Sequence, residues 1–122
     1  MVTILVTEGA LQDLRDVRDY SIEERGQTVA DKYLDDFDAA IQRLAEMPSL
    51  LRKEPQIASG LYFYRVRKHF LVCDVFADAV LVLTVVHCSM DLPERLAELQ
   101  PTLTSEVELL HRKLEQEHKA PD

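Results

Sequence analysis

The sequence lacks any apolar run long enough to cross a bilayer, and its first residues, MVTILVTEG, lack the basic residues that open a signal peptide. We therefore expect a cytoplasmic protein with no membrane partner. Cysteine is scarce as well, with only Cys73 and Cys88. No pair of Cys and His residues has the C-x2-C type of spacing that zinc sites use, so we predict reduced thiols, no metal and no cofactor.

The sequence also has few Lys and Arg residues compared with Asp and Glu. The 122 residues carry 14 Lys and Arg side chains against 22 Asp and Glu, a net charge of −8, of which residues 1–47 hold −6 and residues 101–122 hold −2. Binding along a phosphate backbone needs several Lys or Arg contacts, so we do not expect direct binding of nucleic acid. The middle third is the only place for an exception, because it carries Arg52, Lys53, Arg65, Arg67 and Lys68.

A chain of this length, 47% hydrophobic and 30% charged, fits one domain with its own core. Its organising stretch is Gly60–Cys88, which is rich in β-branched and aromatic residues. Joins of two or three residues require antiparallel neighbours, so this stretch predicts a three-stranded meander whose apolar last strand lies inside the sheet. The predicted strands are Leu61–Val66, His69–Phe76 and Val80–His87.

The residues before the meander predict a strand and two helices. Val2–Val6 is a strand that must pair with the meander, because an isolated strand leaves its backbone groups unpaired. Thr7 fits the N-cap of a first helix that ends at Gly26. The second helix starts near Thr28 and is stopped by Pro48, and the short turn between the helices predicts an antiparallel hairpin. Residues 49–59 are predicted as loop.

The residues after the meander predict a short helix, Pro93–Leu99, a break at Pro101, and a last helix, Glu106–Glu117. The last helix has a narrow apolar stripe, as in a coiled-coil seam or a helix that lies in a groove. We predict that this stripe binds a partner, a second copy of the chain in a homodimer being one possibility and packing on the domain itself the structural alternative. The stripe consists of Leu103, Val107, Leu110 and Leu114.

The element order is β-α-α-β-β-β-α, which predicts an α+β fold. We expect an antiparallel four-stranded sheet with the N-terminal helix hairpin packed on one face and an extra C-terminal helix. We divide the chain into a domain of residues 1–100 and a C-terminal helical extension of residues 101–122.

The chain resembles the RelE/ParE toxin superfamily of bacterial type II toxin–antitoxin systems, in its ParE-like branch, over about residues 2–99. The order and spacing of many short pieces carry the resemblance, which implies a growth-inhibiting toxin of the plasmid-stabilisation type, kept silent by a cognate antitoxin. The pieces are Ala10, Asp13-Leu14 and Tyr20; Ala30, Tyr33, Ala40-Ile41 and Leu44-Ala45; Pro48, Gly60 and Arg65; His69-Phe70-Leu71-Val72; VLTVVH, ending at His87; and Asp91 and Leu96.

The resemblance implies two possible activities. RelE-like members cleave mRNA on the ribosome, whereas several ParE-like members poison DNA gyrase. Cleaving RNA without a metal needs groups that activate the 2′-hydroxyl, stabilise the phosphorane and protonate the leaving oxygen, and the candidates here are Lys53, Arg65 and His87. Each also has a structural reading: Lys53 as a solvated loop charge, Arg65 as the partner of an acid on a neighbouring strand, and His87 as a hydrogen-bonded histidine at a strand end.

Two departures from the superfamily pattern favour a binding toxin. Where relatives commonly carry Arg between the histidine and the aspartate, this chain has Cys88-Ser89-Met90. It also lacks the basic surface that ribosome binding requires. We therefore expect a toxin that binds a protein target, with DNA gyrase as the candidate, and keep the mRNA endoribonuclease and a non-toxic repurposed scaffold as alternatives. The C-terminal stripe could then also occupy, within the chain, the groove that an antitoxin helix would use.

Overall fold

The structure, a computed structural model, describes residues 2–58 and 60–118. Ser59, the end of the predicted loop, and residues 119–122 of the predicted extension lie outside the described residues. The strands are β1 (Thr3–Val6), β2 (Arg52–Lys53), β3 (Tyr62–Val66), β4 (His69–Phe76) and β5 (Ala79–His87). The helices are α1 (Glu8–Arg25), α2 (Gln27–Glu46) and α3 (Leu92–His118), and a 3-10 turn, Pro48–Leu50, follows α2.

The predicted four-stranded antiparallel sheet is wrong, although the fold is α+β. The described chain forms one five-stranded mixed sheet in the order β1-β5-β4-β3-β2. The antiparallel meander of β3, β4 and β5 is confirmed. β1 does pair with the meander, but in parallel, with Thr3 opposite Ala79 and Val6 opposite Val82. A parallel pair needs a long connection, which the two helices and the other strands supply here.

The fifth strand comes from the segment that was predicted as loop. Arg52 pairs with Phe63 and Lys53 with Tyr62, in antiparallel orientation. Two charged residues show no hydrophobic alternation, so the sequence pattern does not mark them as a strand. They form the sheet edge next to β3, where short and charged strands are common.

α1 and α2 form the predicted helix hairpin. The side-chain oxygen of Thr7 accepts the backbone N–H of Ala10 at 3.1 Å, as the predicted N-cap should. Its hydroxyl also donates to the carbonyl of Leu83 at 3.0 Å, which ties the start of α1 to β5. Gly26 separates the helices with a φ of 87°, a conformation that favours glycine.

Helices cover both faces of the sheet, so the fold has three layers. The helix hairpin covers one face and α3 covers the other. β5, between β1 and β4, is buried along its whole length except at His87, which confirms its predicted interior position. The hairpin-side core contains Ala10, Phe37, Ala40, Leu44, Leu71, Val80, Val82 and Val85. The α3-side core contains Phe63, Val72, Leu81, Leu83, Val86, Leu92, Leu96, Leu103 and Leu114.

The pairing of β4 with β5 shifts once along its length. Cys73 lies opposite Val82, but the preceding residue Val72 lies opposite Thr84, so Leu83 is an extra residue in β5. Such an insertion is a β-bulge, which bends the strand and changes the face of the side chains that follow.

The bulge decides where His87 points. Simple alternation along β5 would place His87 on the face of Leu83, but the bulge places it on the other face. Beyond the bulge, Val85 joins Val82 in the core on the hairpin side. His87, two residues further, lies on that same side and opposite His69, whereas an unbroken register would have placed Val86 there.

α3 is one continuous helix, so the predicted break at Pro101 is wrong. Proline removes a helical hydrogen bond and costs stability, but Leu96 and Leu103, on either side of it, are both buried against the sheet. That packing holds the helix together across the proline. The division of the chain at residue 100 stays a prediction.

α3 is also fastened to the sheet near its C-terminal end. The Nε2 atom of His111 lies 2.8 Å from a carboxylate oxygen of Asp74 on β4. The same imidazole stacks on Phe76, with ring centroids 3.8 Å apart and an interplanar angle of 14°. A polar contact and a stacked ring therefore fix the position of α3 along the strand.

Candidate functional site

Two histidines meet at one end of the sheet. His69 begins β4, His87 ends β5, and the two are paired in the register. Their ring centroids are 4.9 Å apart and their planes make an angle of 81°. α2 covers them from one side, with the Tyr33 ring centroid 5.5 Å and the Phe37 centroid 5.9 Å from that of His69. We call His69 and His87 the histidine pair.

The Tyr33 hydroxyl is hydrogen-bonded to His69. The Tyr33 oxygen accepts the backbone N–H of Lys68 at 3.2 Å and lies 2.6 Å from Nδ1 of His69. Burial, followed by repulsion from His87, lowers the pKa of His69 to about 4. Burial also raises the pKa of the Tyr33 phenol, so both groups are uncharged at neutral pH.

His87 is held by the segment that follows β5. Its Nδ1 atom accepts the backbone N–H of Ser89 at 3.0 Å and lies 2.6 Å from the Ser89 hydroxyl. The backbone N–H of Cys88 donates to the carbonyl of Lys68 at 2.8 Å, which joins this segment to the turn between β3 and β4. The Nδ1 atoms of both histidines are therefore engaged in hydrogen bonds within the protein.

The turn between β3 and β4 brings positive charge to this end of the sheet. Arg67 has a φ of 52°, and its Nε donates to the carboxylate of Asp36 on α2. Its guanidinium carbon lies 5.0 Å from the centroid of the Tyr33 ring, within cation–π range. The Nε of Arg65 donates to the carbonyl of Arg67 at 2.8 Å. These contacts hold the turn against α2.

A cleft of about 210 Å³ lies between α2 and β3. Nη1 of Arg43 on α2 donates to the Tyr64 hydroxyl at 2.8 Å. We call this space the arginine cleft, and its charged and polar lining consists of Asp36, Arg43, Tyr64, Arg65 and Arg67.

The structure does not bring the three predicted catalytic residues together. Arg65, near the end of β3, shares the end of the sheet that carries His87. Lys53 lies on the edge strand β2, where it pairs with Tyr62, and its Nζ is 5.5 Å from the centroid of the Tyr62 ring. From the usual strand spacing of about 4.8 Å and rise of about 3.3 Å per residue, the Cα atoms of Lys53 and His87 are roughly 20 Å apart. The catalytic role of the three stays a prediction.

The predicted partner-binding stripe faces the protein's own sheet. Leu103 and Leu114 are buried in the core on the α3 side, and Val107 and Leu110 are partly buried against it. Leu109, outside the stripe, is 59% exposed. A partner would reach the stripe only after α3 has left the sheet.

Sequence reasoning missed the residues that surround His87. Neither Tyr33 nor His69 was a candidate, because each reads as part of an apolar pattern. The turn Ala77-Asp78 gives a register that would have placed His69 opposite Val86, one residue from His87. Only the bulge closes that gap, and nothing in the sequence of β5 marks it.

Metal and membrane features are absent from the described residues. Within residues 2–58 and 60–118, no three His, Cys, Asp or Glu side chains cluster as metal ligands. No described helix combines the length and the apolar character that a membrane crossing needs. Both cysteines are free thiols, and burial, with a smaller effect of Asp74, raises the pKa of Cys73 to about 12, so that thiol is unreactive at neutral pH.

Comparison with known proteins identifies the family. Residues 4–92, the larger part of the chain, match the family described as ParE toxin of type II toxin–antitoxin system, parDE. The chain belongs to the ParE toxin family. It is therefore a type II toxin component, and the expected resemblance to the RelE/ParE superfamily is confirmed. No curated protein matches the chain.

A solved structure supports the ParE fold. The chain is similar to a protein in the structure "Chromosomal ParDE TA system from P. aeruginosa", with a TM-score of 0.63 and 17% identity. The similarity covers 71% of this chain and 96% of that one. The ParE match ends at Leu92, the first residue of α3, so nearly all of α3 lies beyond the part that defines the family.

Proposed function

We propose that this ParE-family chain inhibits growth in the cytoplasm by binding a cellular protein, with DNA gyrase as the target, and that a cognate antitoxin neutralises it. Membership of the ParE family supports the toxin role, and the similar protein belongs to a ParDE toxin–antitoxin system. One observation carries the choice of binding over cleavage: Lys53 lies across the sheet from His87, so the three candidate residues do not converge on one scissile phosphate.

The hydrogen bonds of the histidine pair support the same choice. Activating a 2′-hydroxyl requires an acceptor nitrogen or a carboxylate within hydrogen-bond reach. Nδ1 of His69 is engaged by Tyr33 and Nδ1 of His87 by Ser89. A second requirement of RNA cleavage on the ribosome is a basic surface, whereas this chain has a net charge of −8.

The helix hairpin is the surface that we propose for the target. Tyr20 on α1 is 68% exposed, while the neighbouring Ser21 takes the buried position. Val29, at the start of α2, is 38% exposed near the same tip of the hairpin. Tyrosine is enriched among residues that dominate protein interfaces, because it buries a large apolar ring and keeps a hydroxyl for hydrogen bonding. Tyr20 is therefore the proposed anchor.

The C-terminal stripe has an internal role in this proposal. Because Leu103 and Leu114 pack on the sheet, α3 covers a face that an antitoxin helix or a second copy of the chain could use only after displacing it. Antitoxin binding would then compete with α3, and a homodimer through the stripe would require the same displacement.

The test compares two variants with the parent chain on induction in bacteria. Tyr20→Ala should lose growth inhibition while it stays folded, and Leu109→Ala, an equally exposed change on α3, should keep it. The purified parent chain should inhibit supercoiling by gyrase and leave ribosome-bound mRNA intact. Cleavage of mRNA on the ribosome with gyrase unaffected would overturn the proposal in favour of the endoribonuclease. Normal growth with a folded parent chain would favour the non-toxic scaffold.

A further inference from the structure

The sheet edge opposite β1 is only partly covered. β2 pairs with Tyr62 and Phe63 alone, and no strand of the described chain lies beside the rest of β3, Tyr64–Val66. The two-residue turn makes Val66 and His69 the first bonded pair of the β3–β4 hairpin, and bonded pairs alternate along antiparallel strands. Arg65 therefore directs its backbone N–H and C=O away from β4 and toward the open edge.

The arginine cleft runs along this open edge and is positive in an acidic protein. Three arginines and one aspartate line it, whereas residues 1–47 alone carry a net charge of −6. A guanidinium has five N–H donors. Arg43 donates one of its N–H groups to Tyr64, and Arg67 donates one to Asp36. Both side chains are exposed, so most of their remaining N–H groups face solvent.

The arginines reach both faces of a strand that would extend the sheet. Val66 packs in the core on the hairpin side and Phe63 in the core on the α3 side. By alternation Arg65 shares the side of Phe63, while Arg43 comes from α2 on the hairpin side. In an added strand, every second side chain would therefore lie on the hairpin side, where Arg43 and Arg67 are, and the others on the side of Arg65. Acids at alternate positions are enough to meet Arg43 and Arg67.

We propose that the open edge of β3 and the arginine cleft bind an extended acidic segment of a partner protein, which adds to the sheet beside Arg65. Strand addition uses the free backbone groups of Arg65 for affinity, and the alternating side chains give specificity. Carboxylates suit this cleft because a guanidinium binds them through two parallel hydrogen bonds. The inference is independent of which target the toxin inhibits, because it concerns a different surface from the hairpin tip that carries Tyr20 and Val29.

The experiment measures binding of a labelled ten-residue peptide of alternating glutamate and threonine to the full chain by fluorescence anisotropy. Losing one charge-assisted pair is worth about tenfold in affinity, so Arg43→Gln and Arg67→Gln should each weaken binding by about that factor. Arg15→Gln, which removes an exposed arginine of α1, is the matched control and should change binding less than twofold. Hydrogen exchange should show new protection of the Arg65 amide on binding.

Peptide and oligonucleotide controls separate strand addition from simple charge attraction. A peptide with proline at alternate positions keeps its acids but loses backbone donors, so it should bind at least tenfold more weakly. Equal binding of this peptide, an equal effect of Arg15→Gln, or no binding of the acidic peptide would overturn the proposal. A single-stranded RNA of equal charge that binds as tightly would replace it with nucleic-acid binding. The melting temperatures of both cleft variants must lie within a few degrees of that of the parent. If Arg67→Gln melts at a clearly lower temperature, the binding result of Arg43→Gln alone decides.

Discussion

The carboxylate of Asp13 on α1 accepts the backbone N–H of Val85 on β5 at 3.0 Å. The same oxygen lies 2.6 Å from the hydroxyl of Thr84, which donates to it. β1 ends at Val6, opposite Val82, so no strand of the described residues flanks β5 on that side beyond this point. A side chain of α1 therefore supplies the acceptor that a longer β1 would have supplied, and α1 is tied to the strand that ends in His87.

Removing this carboxylate should destabilise the fold. We expect Asp13→Ala to lower the free energy of unfolding by about 1–3 kcal/mol, because a buried backbone N–H loses its acceptor. Asp16→Ala is the matched control, because Asp16 bonds only to Gln12 on the exposed side of the same helix, and it should cost at most about 0.5 kcal/mol. Urea unfolding measures both, and equal losses would contradict the role given to Asp13.

Acid should destabilise the protein through His69. Its pKa is about 4 in the folded chain against an ordinary value of 6.5, so the unfolded chain binds the proton more tightly. The free energy of unfolding should therefore fall as the pH drops from about 6.5 toward about 4. Urea unfolding at a series of pH values checks this, with His69→Gln as the comparison. The gap between parent and variant should change across that window, and parallel curves would refute it.

A glycine in the turn between β4 and β5 should stabilise the protein slightly. Ala77 has a φ of 55°, in the left-handed region that costs a residue with a Cβ energy. Ala77→Gly removes that cost but adds freedom to the unfolded chain, so we expect a net stabilisation of at most about 1 kcal/mol. The melting temperature should rise slightly. A clear fall would show that the methyl group of Ala77 makes contacts that outweigh the backbone strain.

The stripe on α3 should behave as core. Leu103→Ala removes a side chain that is 8% exposed, and we expect a loss of about 2–4 kcal/mol of unfolding free energy. Leu109→Ala, on the same helix but 59% exposed, should change it by at most about 0.5 kcal/mol. Thermal unfolding followed by circular dichroism separates the two. If Leu103→Ala cost no more than Leu109→Ala, α3 would not be packed on the sheet in solution.

Local patterns predicted the elements of this chain better than their connections. The meander, the helix hairpin and the Thr7 cap follow from residues that are close in sequence, and the structure confirms them. The parallel pairing of β1 with β5 depends on residues more than 70 positions apart, which no local period contains. β2 consists of two residues, both of which are charged, and it is a strand because its backbone pairs with β3.

The positions of individual side chains were harder to predict, because three local features of the sequence were ambiguous or misleading. The bulge at Leu83 changes which residue faces His69, and a run of apolar β-branched residues does not reveal it. The helical period allowed either Tyr20 or Ser21 on the inner face, and the smaller residue is the buried one. Pro101 predicted a helix end, but burial of Leu96 and Leu103 on both sides outweighs the lost hydrogen bond.

The parallel contact of β1 with β5 has a consequence for synthesis of the chain. Translation delivers residues 3–6 long before residues 79–82, with which they pair, and the helix that covers the other face of β5 follows later still. Until then the nascent chain exposes hydrophobic surface of the sheet, and chaperones act on nascent chains in such states. The sheet therefore cannot be completed before β5, residues 79–87, has been synthesised.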